Sequence, residues 1–278
     1  MCIRDSNGRD KNRIGGITLA DGTAFGGTAE GEPLYRYYGY VVDHIIETQE
    51  QADNAMYDSS AKGYRPSDGK NIAGRKEIGD YEWKNREGSQ TKDGKDYIDS
   101  QDQFLLGYTV PHSTGGLNNN FTYKNFTLNI FVDWALGHSI NNNSEMRYFM
   151  NTFANNYTLI DEVKQCWKQP GDNTKYARFT ANDPDDGNAN FSRTSNVFNY
   201  KGDYLCIREI SLQYNVPTNK LTKLGIQNLA ITLAGNNLHY FTAVKGVSPE
   251  VGASTTYNKD YYNYPPIRKY SVGVKVTF

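Results

Sequence analysis

The clearest pattern in the chain is a strict alternation of apolar and polar residues at its carboxyl end. Successive side chains of a strand point to opposite sides, so residues 270–278 predict a strand with two unlike faces. The apolar face consists of Tyr270, Val272, Val274, Val276 and Phe278. The polar face consists of Ser271, Gly273, Lys275 and Thr277. We expect the first set to meet an apolar environment and the second to meet water.

The same alternation, or a run of β-branched and aromatic residues, predicts further strands over residues 34–46, 117–123, 126–134, 203–216 and 229–241. Lys124 and Asn125 separate two of these strands, which is typical of a β-hairpin with a tight turn. Within residues 203–216 the apolar positions change from odd to even. This change predicts a β-bulge near Arg208 and Glu209 that brings the apolar side chains back to one face.

Long and short connections alternate between the predicted strands. Residues 47–113, 137–202 and 242–265 are long connections, whereas the hairpin turn and residues 216–227 are short. Outer-membrane β-barrels have short turns on the periplasmic side and long loops outside the cell. The pattern therefore predicts an all-β fold: an antiparallel transmembrane β-barrel segment with long extracellular loops, forming an incomplete, curved sheet.

Composition agrees with this prediction. A mean hydropathy of -0.72 and a hydrophobic content of 37% are low for 278 residues around one solid core. No run reaches the roughly 18–20 apolar residues of a membrane-spanning helix, but a spanning strand needs only about 9–11 residues, alternately apolar. The 22 Tyr, 12 Phe and 3 Trp suit strands and interfacial girdles. A net charge of -1 gives no indication of nucleic-acid binding.

Five motifs follow one another near the carboxyl end: DYLCIREISLQYNVP (203–217), LGIQNL (224–229), AGNNL (234–238), GVSPEV (246–251) and YPPIR (264–268). In this order they resemble the carboxy-terminal signature of the SusC/RagA family, which are TonB-linked outer-membrane proteins of Bacteroidota. Shorter upstream motifs, such as YKNF at 123–126, extend the resemblance over residues 34–278. Residues 1–6 look like translated adapter sequence, so we expect residues 1–33 to be a non-native start and an irregular lead-in.

The resemblance implies a transporter in the bacterial outer membrane. Its barrel has about 22 strands, is closed by an amino-terminal plug and is energised through TonB. A SusD-like surface lipoprotein helps it to capture oligosaccharides or peptides. Residues 34–278 would form the carboxy-terminal part of the barrel wall, the apolar face of the last strand would contact lipid, and the TonB complex would be reached through an amino-terminal part outside this chain. The resemblance implies no enzymatic activity and no cofactor.

Four tyrosines, Tyr257, Tyr261, Tyr262 and Tyr264, lie in the last predicted extracellular loop. Tyrosine rings can stack on sugars or cover the apolar surface of a partner, so we expect ligand or lipoprotein contact here. The alternative is that they belong to the outer aromatic girdle and to loop packing.

Asp93, Asp99 and Asp102 are candidate ligands for a cation, because clustered carboxylates beside a glycine suit a hard, oxygen-binding ion. The spacing is not that of an EF-hand, and an ordinary turn is the alternative. The three cysteines have no CxxC spacing and predict free thiols. Neither HExxH nor GxSxG occurs, and the four histidines are isolated, so we expect no catalytic site.

One other class of function fits the strand pattern. A soluble all-β module that binds glycans or mediates adhesion can also contain two-faced strands.

Overall fold

A computed structural model describes residues 13–19, 22–58, 75–86, 91–92, 95–150, 158–180, 189–217, 219, 221, 225–250 and 266–278. The chain divides into two compact units. The first, here called the aromatic unit, takes its residues from Met1–Thr109, Ser139–Tyr200 and Gly252–Tyr262. The second, here called the sheet unit, takes them from Val110–His138, Lys201–Val251 and Asn263–Phe278. Among the described residues, the helices are all too short or too polar to cross a membrane.

The strands of the described residues are, in chain order, β1 (Arg13–Ile14), β2 (Ile17–Thr18), β3 (Ala24–Phe25), β4 (Thr28–Ala29), β5 (Arg36–Gly39), β6 (Val42–Ile45), β7 (Tyr57–Asp58), β8 (Tyr81–Trp83), β9 (Thr91–Lys92), β10 (Lys95–Ile98), β11 (Phe104–Tyr108), β12 (Ser113–Tyr123), β13 (Phe126–Leu136), β14 (Ser139–Asn141), β15 (Asn199–Lys201), β16 (Tyr204–Asn215), β17 (Asn228–Thr242) and β18 (Lys269–Thr277). The α-helices are α1 (Gln49–Asn54) and α2 (Asn143–Met150), and 3₁₀ helices cover Ser100–Asp102 and Asp161–Gln165.

The sheet unit contains one antiparallel sheet with the strand order β12-β13-β16-β17-β18. Its five strands are 9 to 15 residues long. Tyr123 pairs with Phe126, so Lys124 and Asn125 form the turn of the predicted hairpin, and Lys124 has a positive φ of 54°. β16, β17 and β18 lie within two residues of their predicted positions. In the described sheet, β12 and β18 are the edge strands.

The predicted β-bulge is confirmed. Phe131 of β13 pairs with Glu209 of β16, but the next residue, Val132, pairs with Ile207, so Arg208 is the extra residue. The pairing of β16 with β17 shifts at the same place. The apolar residues on the two sides of the bulge consequently share one face.

Two adjacent glycines of the edge strand β12 make room for aromatic rings of β13. A Cβ atom on Gly115 would lie 2.3 Å from the Trp134 ring, and one on Gly116 would lie 3.0 Å from the Phe131 ring. The two rings lie on opposite faces, since neighbouring residues of a strand alternate. Phe131 thus packs over a glycine rather than against water alone.

The aromatic unit contains several small sheets, in which β1 pairs with β4, β2 with β3, β5 with β11, β6 with β8, β14 with β15, and β10 with β7 and β9. The prediction of one strand over residues 34–46 is wrong. The chain forms β5 and β6 there, which pair with different partners, and the break lies at Tyr40, which bridges to Ser195. A strand that changes partners in this way cannot continue as one ladder.

A buried aromatic core holds the aromatic unit together. Trp83, Phe149 and Phe191 are each at most 1% exposed, and they come from three separate stretches of the polar connections. The Phe149 ring lies 4.3 Å from the Tyr176 ring and 5.2 Å from the Phe191 ring, measured between centroids. Two long polar connections of the sequence therefore fold into one packed body.

Candidate functional site

One face of the five-stranded sheet is mainly apolar. Val272 and Val274 of β18 pair with Leu233 and Ile231 of β17, and this face continues onto β16 and β13. Val272 is 73% exposed and Val274 is 64% exposed. All five predicted lipid-facing residues of the terminal strand are exposed: Tyr270, Val272, Val274, Val276 and Phe278. Apolar surface on this scale marks a protein or membrane contact.

The opposite face of the sheet is polar. Its side chains include Asn118, Asn120, Thr127, Asn129, Ser211, Gln213, Thr232, Ser271 and Lys275. Small and amide side chains of this kind suit the hydrated interior of a barrel. The register of the strands therefore separates an apolar surface from a polar one, as alternation along single strands had predicted.

Arg208, the extra residue of the bulge, organises a charged cluster on the polar face. Its Nε donates to Asp133 Oδ1 at 2.8 Å and its Nη2 donates to Asp133 Oδ2 at 2.7 Å, a two-point pairing. Its Nη1 donates to Asn237 Oδ1 at 2.9 Å and to the Tyr240 hydroxyl at 3.2 Å. Nη2 also contacts Glu250, beyond the end of β17. One guanidinium thus joins three strands and the start of a long connection.

A second contact holds the same connection. His138 follows β13, is 5% exposed, and has its Nε2 at 3.4 Å from the Pro249 carbonyl oxygen. Burial lowers the pKa of His138, which favours the neutral ring. Because a carbonyl oxygen only accepts hydrogen bonds, we place the proton on Nε2. Pro249 and Glu250 are therefore both held against the end of the sheet.

Within the aromatic unit, Glu145 of α2 accepts hydrogen bonds from the buried Tyr176 and the half-buried Tyr200. The Tyr176 hydroxyl donates to Oε1 at 3.1 Å and the Tyr200 hydroxyl donates to Oε2 at 2.7 Å. Burial, with the neighbouring carboxylate, raises the pKa of both tyrosines, so they stay protonated donors. The Lys175 ammonium lies 5.0 Å from the Tyr176 ring centroid, and burial lowers its pKa. These groups stabilise the packing around α2.

Buried ion pairs also stabilise the aromatic unit. Arg178 Nε donates to Asp80 Oδ1 at 2.6 Å, and Asn190 Nδ2 donates to the same oxygen at 2.9 Å. Lys76 and Glu82 form a second pair at 2.5 Å. Asp80 and Lys76 are at most 3% exposed, so loss of one partner would leave a buried charge uncompensated.

The predicted cation ligands that are described cap a helix. The Asp99 carboxylate accepts from the Gln101 backbone N–H at 2.6 Å, and Asp102 accepts from the backbone N–H groups of Asp99 and Arg86, both at 2.9 Å. This is a capping box on the 3₁₀ helix Ser100–Asp102. Asp93 lies outside the described residues. In the described ranges, no group of three or more His, Cys, Asp or Glu side chains is placed to hold a metal ion.

The four tyrosines Tyr257, Tyr261, Tyr262 and Tyr264 lie outside the described residues, so their contact role stays a prediction. Cys166 and Cys206 are free and buried, as expected from their spacing. Burial raises the pKa of Cys166 to about 12, so this sulfur remains an unreactive thiol. Arg208 was not singled out as a functional residue from the sequence, although the change of parity beside it was the signal.

The chain is similar in sequence to known TonB-dependent receptors. No family model matches the chain. TonB-dependent receptor P3 of Formosa agariphila is 28% identical over 194 residues, which are 67% of this chain and 18% of the relative. TonB-dependent receptors P39 and P26 of the same organism are 26% and 24% identical, over 68% and 67% of this chain. The chain thus spans 18 to 19% of the length of these curated relatives.

Two solved structures share the fold at 17% identity. The RagAB peptide transporter gives a TM-score of 0.58, with 88% of this chain and 23% of that chain covered. The RagAB peptide importer in its closed-closed state gives 0.57, with 97% and 26% covered. The names of all these proteins are those of receptors and transporters, not of enzymes, in agreement with the lack of catalytic motifs. By sequence the chain is similar to TonB-dependent receptors, which are proteins of the bacterial outer membrane, and it shares the fold of the RagAB peptide transporter.

Proposed function

We propose that the chain forms part of the barrel wall and extracellular loops of a TonB-dependent transporter that imports oligosaccharides or peptides. The observation that carries this proposal is the sheet β12-β13-β16-β17-β18, with its exposed apolar face, its polar face and its strands of 9 to 15 residues. Such strands match the thickness of an outer membrane. A soluble glycan-binding or adhesion module would have to cover the apolar face.

The lengths of the connections indicate which end of the sheet faces the periplasm. The turn at Lys124–Asn125 and residues 216–227 connect strand ends at one end of the sheet, and residues 137–203 and 243–268 connect the opposite strand ends. We place the first end in the periplasm and the second outside the cell. In the intact transporter, β12 and β18 would pair with further strands of the barrel, and TonB would bind an amino-terminal part of the protein.

A deletion of the intact gene tests the transport function. Cells that lack the transporter should fail to take up a labelled peptide mixture or a labelled oligosaccharide mixture, and the intact gene should restore uptake. Peptides are the first mixture to test, because the fold neighbours are described as a peptide transporter and importer. Uptake should also stop when the proton gradient is dissipated. Undiminished uptake of both mixtures in the deletion strain would contradict the proposal.

The partner would be a SusD-like surface lipoprotein, bound in part by Tyr257, Tyr261, Tyr262 and Tyr264. These aromatic side chains suit the anchor positions of a protein interface or a sugar-binding surface. Replacing all four by serine should reduce both uptake and co-purification of the lipoprotein. Replacing Tyr123, which is 71% exposed on the apolar face, serves as the control. If the fourfold variant kept both properties, the contact role would be wrong.

A further inference from the structure

A cleft of about 370 Å³ lies within the aromatic unit. Residues of β2, β3 and β5 and of the glycine-rich turns beside them line it, among them Gly16, Phe25, Gly26, Tyr35, Arg36 and Tyr38. Sites for small molecules usually measure about 300–1,000 Å³. The cleft is at the small end of this range, which suits one or two units of a sugar or peptide chain rather than a long segment.

Aromatic rings supply the apolar part of the cleft. The ring centroids of Phe25 and Tyr38 lie 5.4 Å apart, and the guanidinium carbon of Arg86 lies 4.4 Å from the Phe25 centroid. Tyr35 is 40% exposed and has a left-handed φ of 56°. Its carbonyl oxygen accepts hydrogen bonds from the Thr109 backbone N–H at 2.9 Å and from the Thr109 hydroxyl at 3.1 Å. These two bonds hold the backbone of this exposed tyrosine in place before a ligand arrives.

Arg36 supplies the charged part of the cleft. Its side chain is 8% exposed, and its Cζ lies 5.6 Å from the Tyr38 ring centroid. Its hydrogen bonds to the described residues all come from Nη2, which contacts Glu32 Oε2 and donates to the Gly26 carbonyl oxygen at 3.4 Å. Within the same part of the chain, Nε is enclosed without a partner, and Nη1 likewise has none but is not enclosed. A guanidinium with unused donors in a cleft favours a ligand that carries an oxygen anion.

The Glu32 carboxylate does not use up the charge of this guanidinium. Its Oε1 lies 3.2 Å from Arg13 Nη2, while its Oε2 contacts Arg36, so two arginines share one carboxylate. A ligand anion at Arg36 Nη1 therefore meets a cation that is only partly neutralised.

We propose that the cleft binds a carboxylate at the end of a sugar or peptide chain. Arg36 Nη1 donates a charge-assisted hydrogen bond to the carboxylate, and the rings of Phe25, Tyr35 and Tyr38 pack against the apolar side of the unit that carries it. The inference rests on the proposed function, because that function puts the residues before β12 outside the cell, where substrates arrive. It adds a charged group on the substrate and the arginine that binds it.

Two matched pairs of probes test the site on the purified intact transporter, with ligand-observed NMR titration as the readout. They are digalacturonic acid with its dimethyl ester, and trialanine with trialanine amide. In at least one pair the free acid should bind about tenfold or more tightly than its esterified or amidated partner, and Arg36→Gln should remove this preference. The pair that responds identifies the chain as sugar or peptide. Arg268→Gln, which removes an exposed arginine of the sheet unit, should bind like the wild type.

Glu32→Gln distinguishes ligand binding from a purely structural role of the same residues. It removes the carboxylate that competes for Arg36, so the free acid should bind about two- to fivefold more tightly. If Arg36 and Glu32 only stabilised the fold, the same substitution would weaken binding or leave it unchanged.

Equal affinity for both members of both pairs would overturn the proposal, as would a preference for the acid that Arg36→Gln left unchanged. Displacement of the bound acid by an equal concentration of inorganic phosphate would overturn the choice of a carboxylate. Should Arg36→Gln fail to give the heat-modifiable band of a folded barrel, Glu32→Gln decides alone. A transporter that imports its substrate but shows no binding dependent on Arg36 would refute this inference alone, whereas undiminished uptake in the deletion strain would refute the proposed function.

Discussion

Replacing Val274 by arginine places a charge on the apolar face of β18. Val274 is 64% exposed and pairs with Ile231, so the new guanidinium would have no polar neighbour on that face. If the face lies in lipid, the charge must either stay in hydrocarbon or extend to a distant interface. If the face is covered by water, the substitution should be nearly neutral.

The expected loss of stability depends on how deep Val274 lies in the apolar layer of the membrane. Val274 is three residues from the end of β18 at Thr277, which is about 7 Å along the membrane normal for a strand tilted by about 45°. The apolar band of a barrel is about 25 Å tall, so Val274 lies between the interface and the midplane, and an arginine there should cost about 1–3 kcal/mol, somewhat less than at the midplane. Val276 lies almost at the interface, where the same substitution should cost only about 0–1 kcal/mol. Lys275→Arg, on the polar face, exchanges one cation for another and should cost close to nothing.

The assay is thermal unfolding of the intact transporter in phospholipid vesicles, followed by the loss of the heat-modifiable band. The predicted order of destabilisation is Val274→Arg, then Val276→Arg, then Lys275→Arg, with Val274→Leu as a control for side-chain size. Equal stability of Val274→Arg and Lys275→Arg would refute the assignment of the apolar face to lipid. A larger effect at Lys275 would reverse the two faces.

Three further predictions concern the aromatic unit and the end of the sheet. Phe149→Ala should cost about 3–5 kcal/mol of the stability of the aromatic unit, because a fully buried ring is removed, and limited proteolysis should cut residues 139–200 faster. Phe149→Leu is the matched control, and equal cleavage of both variants and the wild type would contradict the role of the core. Tyr200→Phe removes the 2.7 Å hydrogen bond to Glu145 and should cost about 1–3 kcal/mol, measured as faster hydrogen exchange in α2. Because burial lowers the pKa of His138, this residue binds fewer protons in the native state than in the unfolded state. The stability that the neutral His138 ring contributes is therefore lost as the pH falls below the ordinary histidine pKa. The protection of residues 244–250 against hydrogen exchange, corrected for the intrinsic exchange rate at each pH, should therefore fall from about pH 8 to about pH 5, and a His138→Gln variant that kept the same fall would show that another group is responsible.

The sheet could be predicted from sequence because its signal is local. Each spanning strand must alternate between lipid and water, so β12, β13, β17 and β18 show their faces within a few residues. The bulge at Arg208 was predictable for the same reason, since an extra residue changes the parity of the apolar positions. The break at Tyr40 was missed, because aromatic and β-branched residues continue on both sides of it; Gly39, directly before it, was the one local signal.

The aromatic unit could not be predicted because its signal is not local. Trp83 and Phe191 stand among mostly polar residues, Phe149 lies in a short apolar stretch of α2, and only the folded chain brings the three together. The charged cluster around Arg208 could not be predicted from local sequence either. Which residues meet Arg208 depends on the registers of β13, β16 and β17, and Glu250 reaches it from beyond the end of β17.

The shared aromatic core limits how the two long connections can diversify. Trp83 belongs to one long connection, whereas Phe149 and Phe191 belong to another, and the three rings belong to one packed cluster. A connection transplanted from a relative would bring its own shape and leave a void or a clash against the connection that remained. Variation in these connections should therefore arise by exchange of both connections as a matched set, or by substitutions at solvent-exposed positions that leave the core unchanged.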